Sequence, residues 1–315
     1  MKVLFLSDFN PTESLDFDLS FEQVLNECDL IIFNLEGTYC FSGEEQQHTL
    51  LPIDIDSLFK FIRYFGKNKF LISIANNHIL DNGVENFKKM LNLFESNGIN
   101  YFGTANKPWA SIDKNVAVLT FVTAETVASI HNAFQLNYIF YCKNRIQRQI
   151  KELESQYEKL ILYPHWGRDM DKTRFKTYPF KTDETKWITI GHHPHIIIAD
   201  DKEIYSLGNT FIEHSHYYNK YPAFNYGLMV VYDTVNHSIQ KYLSKIDHSI
   251  DSFLISTHKF EVLPCELLDH GANKPLLKKL FLKVFEFKGN LLDIFKLIGL
   301  QLIFGFYKLY RNLLK

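Results

Sequence analysis

At 315 residues and 46% hydrophobic, the chain is long enough for a substantial core, as one large domain or one domain plus an appendage. A charged fraction of 22% and a net charge of -2 exclude a polyanion and a general nucleic-acid binder. The four scattered cysteines (Cys28, Cys40, Cys142, Cys265) have no CxxC spacing, which argues against a disulfide framework or zinc ribbon and fits a reducing cytoplasm.

The first predicted element is KVLFLSD (2–8), a buried strand starting almost at Met1 and too short for a signal-peptide core or a membrane span. CDLIIFNLE (28–36), NKFLISIANNH (68–78), EKLILYPHWG (158–167) and KWITIGHHPH (186–195) repeat its design: a short β-branched run ending in Asp, Glu, Asn or His. Helix-like segments lie between them, at 54–65 and at 82–97. The second has apolar residues at 84, 87, 90, 91 and 94, with Gly98 as its stop. NVAVLTFV (115–122), EIYSLGN (203–209) and YGLMVVYD (226–233) read as further strands, and 234–273 as a mixed segment without assignment. Strand and helix alternation implies a layered α/β sheet, and ligands bind such sheets beyond the carboxyl ends of the strands. The 28 Phe and 17 Tyr read as an aromatic-rich core.

From Lys274 to Lys315 the character changes, so the chain divides into a domain at 1–273 and a tail at 274–315. The tail has nine Lys or Arg against Glu286 and Asp293, a net of +7, which leaves -9 for the rest. Leu276, Leu277, Leu280, Phe281, Val284 and Phe285 form one helical stripe, and the run after Gly289-Asn290 is apolar nearly all round. The longest uncharged stretch, 297–307, is about half the ~20 residues of a span. Two readings stand: a basic amphipathic tail on an anionic membrane surface, or ordinary helices packed on the domain or on a second subunit.

Asp8, Glu36, Asn77, His165, His193 and His195 fall at the ends of five strand-like runs. Carboxylate, amide oxygen and imidazole together suit Mn, Fe or Zn, as one or two divalent ions, better than Ca or a thiolate-held structural zinc. Each residue alone has a plainer explanation, such as a cap, a strand end or a turn. Their joint occurrence at one end of one sheet favours a metal site. Within GHHPH, an extended backbone stiffened by Pro194 sends His193 and His195 to one side and His192 to the other. The expectation is therefore a ligand pair, His193 and His195, with His192 a neighbour.

FNLEG (33–37), ANNHILDNG (75–83), HWGRD (165–169), GHHPH (191–195) and SLGN (206–209), in this order, resemble the CapA/PgsA capsule-synthesis family, relatives of the calcineurin-like metallophosphoesterases. The resemblance covers roughly residues 1–235. It implies a four-layer αββα metallophosphoesterase-like sandwich, here with a C-terminal helical extension, a metal site and a link to capsule or polymer biosynthesis. It also implies that Asp8, Glu36, Asn77, His165, His193 and His195 are the ligands, with Glu36 in the place of a bridging carboxylate and His78 facing substrate. The departures are Ser7 before Asp8 where the family has Gly, Asp169 in place of the Glu of HWGxE, and Thr210 in place of the Phe of LGNF. The stretch between HWG and GHHPH is also short for the family.

Metal-assisted hydrolysis of a phosphate ester fits these residues. His78 would donate a proton or stabilise developing charge. Asp81 would orient it, or else cap the helix at 82–97. Arg168 would clamp a phosphate, or else stand at the surface. The segment 213–227, with His214, His216 and four Tyr, reads as a substrate-facing loop. The expected enzyme is a cytoplasmic hydrolase, peripheral at the inner membrane face if the tail binds there. Its partner would be a phosphorylated sugar, polyol or lipid-linked intermediate, and it would be a homo-oligomer if the tail packs on a second copy. Nucleic acid is not expected as a partner. The alternative is a membrane-held component of poly-γ-glutamate-type synthesis or export.

Overall fold

A computed structural model describes residues 1–40, 51–123, 126, 143–171, 185–200, 203–213, 221–248 and 252–259. The tail at 274–315, residues 214–220 of the loop holding His214 and His216, and most of the stretch between HWG and GHHPH lie outside them.

The strand-end design seen in the sequence places β1 (Lys2–Phe9), β3 (Leu30–Leu35), β4 (Phe70–Ser73) and β5 (Tyr101–Phe102) side by side and parallel, in the order β1-β3-β4-β5. On the other side of β1 the sheet continues antiparallel through β13 (Tyr226–Asp233), β14 (Ile239–His248) and β15 (Phe253–Lys259). The short β2 (Leu15–Phe17) closes that edge, and β12 (Asn209–Phe211) pairs with the far end of β1, giving nine strands. The second sheet has the order β6 (Trp109–Ser111), β7 (Val116–Leu119), β8 (Lys159–Leu162), β9 (Trp187–Thr189). The hairpin β10 (Ile197–Ala199) and β11 (Ile204–Leu207) joins beside β9, where Gly191 donates to Ile204 O and Leu207 donates to Gly191 O.

Three clusters of buried side chains define the layers. Val3, Phe5 and Ile32 of the first sheet meet Val116, Val118 and Ile161 of the second in an inter-sheet core. The opposite face of the first sheet packs on α1 (Leu19–Asn26), α2 (Ile55–Phe65) and α3 (Gly83–Asn97). That of the second sheet packs on α4 (Lys143–Gln156) through Ile146, Ile150 and Leu153. The order helix, sheet, sheet, helix is the αββα sandwich that the resemblance implies.

Local rules account for the elements. Asp54 caps α2 by accepting from Ser57 N, and Leu58, Phe61, Ile62 and Phe65 bury at helical spacing, each worth about 1.5–3 kcal/mol. Gly98 ends α3 at φ 64, a left-handed conformation that glycine adopts without a Cβ clash. Elements that the structure adds to the sequence reading include α1, α4, β14 and β15. The last two occupy the segment read as mixed.

Candidate metal centre

The inter-sheet layer opens at the carboxyl ends of the strands, and there the core becomes polar. On the first sheet Asp8 of β1 is in register with Asn34 of β3 and with Asn209 of β12. Partners in parallel strands face the same side, and Glu36, two residues beyond Asn34, shares that side. Asp8, Asn34 and Glu36 are each fully buried. Asn34 Nδ2 donates to Asp8 Oδ1 (2.8 Å) and to Glu36 Oε2 (2.7 Å). The loop after β4 is tied to this row by Asn76, whose Nδ2 donates to Leu35 O (2.6 Å) and whose Oδ1 accepts from His78 N (2.9 Å). The two asparagines of ANNH thus divide the work: Asn76 shapes the loop, and Asn77 reaches across to the second sheet.

On the second sheet the ladder continues past β8 and β9, pairing His165 with His192 in parallel. Both side chains therefore turn to the same side, toward Asp8. His192 is fully buried, with Nδ1 2.8 Å from Asp8 Oδ1 and 3.0 Å from His165 Nδ1. This corrects the expectation that His192 points elsewhere. Strict alternation needs an extended backbone, but β9 ends at Thr189, and His193 (φ 98) and His195 (φ 56) are left-handed. Two side chains in that strained region are a mark of a functional site rather than of regular structure. The turn returns His193 N to Asp8 Oδ2 (3.0 Å) and leaves His195 Nδ1 3.5 Å from the same oxygen.

Two groups of buried donors result: Asp8, His165 and His192; and Glu36, His165 and His193. Donors about 2.0–2.1 Å from one ion lie about 2.9–3.4 Å apart at right or tetrahedral angles. The observed separations bracket that range. They are 2.8 Å for His192 Nδ1 to Asp8 Oδ1, 3.0 Å between the Nδ1 atoms of His165 and His192, and 3.7 Å from His165 Nδ1 to Asp8 Oδ1 and to Glu36 Oε2. Asn77 Oδ1 lies 2.7 Å from His165 Nε2, a separation at which the two atoms can share a proton or an ion.

A cation also fits the unspent polarity. Glu36 Oε1, His192 Nε2, His193 Nδ1 and His195 Nδ1 are buried without hydrogen-bond partners among the described residues. Burial without a partner costs about 1–3 kcal/mol per group, so a set of such atoms on the residues of one cluster points to a missing ligand. The charges agree. Burial raises the Asp8 carboxyl, but His192, His195 and His193 outweigh it and hold Asp8 at about 2. Burial first, then the Asp8 charge, push Glu36 well above the carboxylate range. Burial and the neighbouring histidines keep His165 and His193 well below the usual imidazole range, hence neutral and able to ligate. The buried His/Asp/Glu cluster can hold a divalent metal ion.

At the rim, His78 is about a quarter exposed; its Nδ1 meets Asp81 Oδ2 at 2.7 Å and its Nε2 stands 3.9 Å from Glu36 Oε1. Asp81 therefore orients His78, and the helix-cap alternative falls away because Asn82 occupies the cap position of α3. Arg168 follows in the loop after His165, half-buried, and the charge of its neighbour Asp169 adds to the raising of Glu36. The structure also joins two of the departures from the family pattern: Ser7 N donates to Thr210 Oγ1 (2.7 Å). Ser7 Oγ donates to Gly208 O (2.5 Å), so a hydroxyl here supplies contacts that glycine could not.

Sequence reasoning passed over two residues of the cluster, Asn34 and His192. Period two along NLE places Asn34 beside Glu36. For His192 the signal lies in the register with His165, which no local pattern carries.

A sequence model for the bacterial capsule synthesis protein PGA_cap family matches residues 10–215. No curated protein matches the chain. The matched span is well over half the chain, so the chain belongs to this capsule-synthesis (CapA) family, and the metallophosphoesterase relationship of the family agrees with the sandwich. The match contains Glu36, Asn77, His165, His193 and His195 and starts two residues after Asp8. Among the described residues no helix is long and apolar enough to cross a membrane.

Proposed function

We propose that the chain is a metal-dependent phosphoesterase-type hydrolase serving capsular or surface-polysaccharide biosynthesis. One observation carries the reading: buried carboxylate, imidazole and amide donors from both sheets converge with several donor atoms unpartnered. Asp8, Glu36, Asn77, His165, His192 and His193 would hold one or two divalent ions, with His195 beside Asp8 completing the shell. The mixed oxygen and nitrogen set favours Mn, Fe or Zn. Such an ion would supply Lewis acidity toward a phosphoryl oxygen and acidify water near neutral pH.

The remaining steps belong to the chain's own groups. Asp81 fixes the ring of His78 through Nδ1, leaving Nε2 free to hand a proton to the leaving oxygen. Arg168, in the adjacent loop, would pair with the non-reacting oxygens of a phosphate. The substrate class is a phosphorylated sugar, polyol or lipid-linked intermediate, and the basic tail at 274–315 would bring the enzyme to an anionic membrane.

The test is metal analysis of the purified chain followed by a phosphatase and phosphodiesterase panel. Bound Mn, Fe or Zn, with turnover that disappears in His165→Ala, is the expected result. A chain that neither carries nor binds these metals would overturn the proposal. Metal without turnover on any phosphate ester would refute the hydrolase and favour the poly-γ-glutamate-type alternative.

A further inference from the structure

Asn34 is fully buried and its side-chain amide donates a hydrogen bond to each of the two carboxylates of the cluster. It sits laterally beside Asp8 through the β1–β3 register and longitudinally beside Glu36 through strand alternation. A primary amide nitrogen carries two hydrogens in fixed trigonal geometry, and here one serves Asp8 Oδ1 at 2.8 Å and the other Glu36 Oε2 at 2.7 Å. Asn34 Oδ1 has no hydrogen-bond partner among the described residues, so the two donor bonds alone order this polar end.

The choice of residue follows from what the alternatives would do. Two carboxylates brought this close in a dry site repel, and need donors to stay in place. A lysine or arginine would supply them, but would add a cation competing with the metal. A serine or threonine offers a single hydrogen. An asparagine stabilises both acids while remaining neutral, and it leaves Glu36 Oε1, which is buried and unpartnered, open for coordination.

We propose that Asn34 is a positioning residue that clips the Asp8 and Glu36 carboxylates into the arrangement a divalent ion requires, and that it thereby biases the site toward oxygen-preferring metals. This rests on the metal-centre reading above. Loosening both carboxylates penalises an ion that depends on oxygen, such as Mn2+, more than Zn2+, which the histidines can still hold.

The experiment is titration of Mn2+ and of Zn2+ into the full-length, metal-stripped chain, comparing wild type with Asn34→Leu and Asn34→Ser. Loss of a residue that orients first-shell ligands typically costs about 10–100-fold in metal affinity. Asn34→Leu, similar in size but without donors, is expected to lose that much for Mn2+ and clearly less for Zn2+, with the near-UV circular dichroism of the metal-free chain retained. Asn34→Ser, keeping one donor, should fall between. Mn2+ affinity within twofold of wild type in a folded Asn34→Leu chain would overturn the proposal, as would equal losses for both metals. If the Leu variant does not fold, the Ser variant decides: a Mn2+-biased loss supports the clip, and wild-type affinity refutes it. A wild-type chain that binds neither metal would instead sink the metal centre itself.

Discussion

Glu36→Gln separates the cost of building the site from its use. The wild-type carboxyl is fully buried and pushed well above the carboxylate range by burial and by Asp8. In the unfolded chain it titrates at the ordinary value of 4.5. A folded-state value above the unfolded one gives stability that is present below the unfolded value and lost as pH rises toward the folded one. In the metal-free chain that loss is at most about 1.4 kcal/mol for each pH unit above 4.5, hence at most about 4 kcal/mol at pH 7.5. Gln is neutral, matches Glu in size and still accepts from Asn34 Nδ2. The variant should therefore be more stable than wild type in EDTA at pH 7.5, by an amount that shrinks to nothing near pH 4.5. A divalent ion at 100 times its wild-type Kd should narrow the gap by about 2.7 kcal/mol, because it stabilises the wild type by that amount and the variant has lost the ligand. Urea denaturation of both proteins at pH 5 to 8, with EDTA or with Mn2+, measures all of this. A gap that is absent at pH 7.5, or that does not narrow toward pH 5, would refute the electrostatic account of Glu36.

Other predictions follow from the same geometry. His165 and His193 are held neutral in the fold but protonate near 6.5 when unfolded, so their contribution is lost as pH falls below about 6.5. Two such groups, opposed by one proton kept on Glu36, leave a net slope of about 1.4 kcal/mol per pH unit between pH 5 and 6; thermal melts of the metal-free chain across that range should show it. Gly191→Ala should abolish metal binding or folding. An added Cβ would lie 2.2 Å from Tyr205 O and 2.4 Å from Trp166 Nε1, and intact metal binding with an unchanged melting temperature would contradict the close approach. Asp81→Asn and His78→Ala should each lower turnover, by up to about 10²–10⁴-fold for a general acid, while leaving Mn2+ affinity near wild type. Loss of metal in either variant would move the dyad from proton transfer to ligation.

Legibility followed the range of the interactions that set each element. β13 is the run read as 226–233, and α3 ends at the glycine read as its stop, because burial pattern and cap are local signals. β14 and β15 escaped that reading. β14 begins with exposed Ile239 and Gln240 and carries Lys241, Lys245 and Asp247, so its hydrophobicity is diluted and its strand character comes from pairing with β13. α4 has Ile146, Ile150 and Leu153 at helical spacing in an otherwise polar segment, a stripe just wide enough to cover the second sheet.

The site divides along the same line. Asp8, Glu36, Asn77 and His165 are legible because each ends a strand in a polar residue that a buried strand does not need. The histidines of GHHPH required two facts that spacing does not hold: the parallel register of His165 with His192, and the left-handed backbone at His193 and His195. Alternation along one strand therefore assigned His192 to the wrong side. Register across two strands places His192 on Asp8, and the strained turn recovers His193 for the same oxygen pair. The strain at His193 and His195 falls on two of the three histidines that carry buried unpartnered nitrogens. Each is a cost that folding alone gives no reason to keep, and a cation in their midst would offset both.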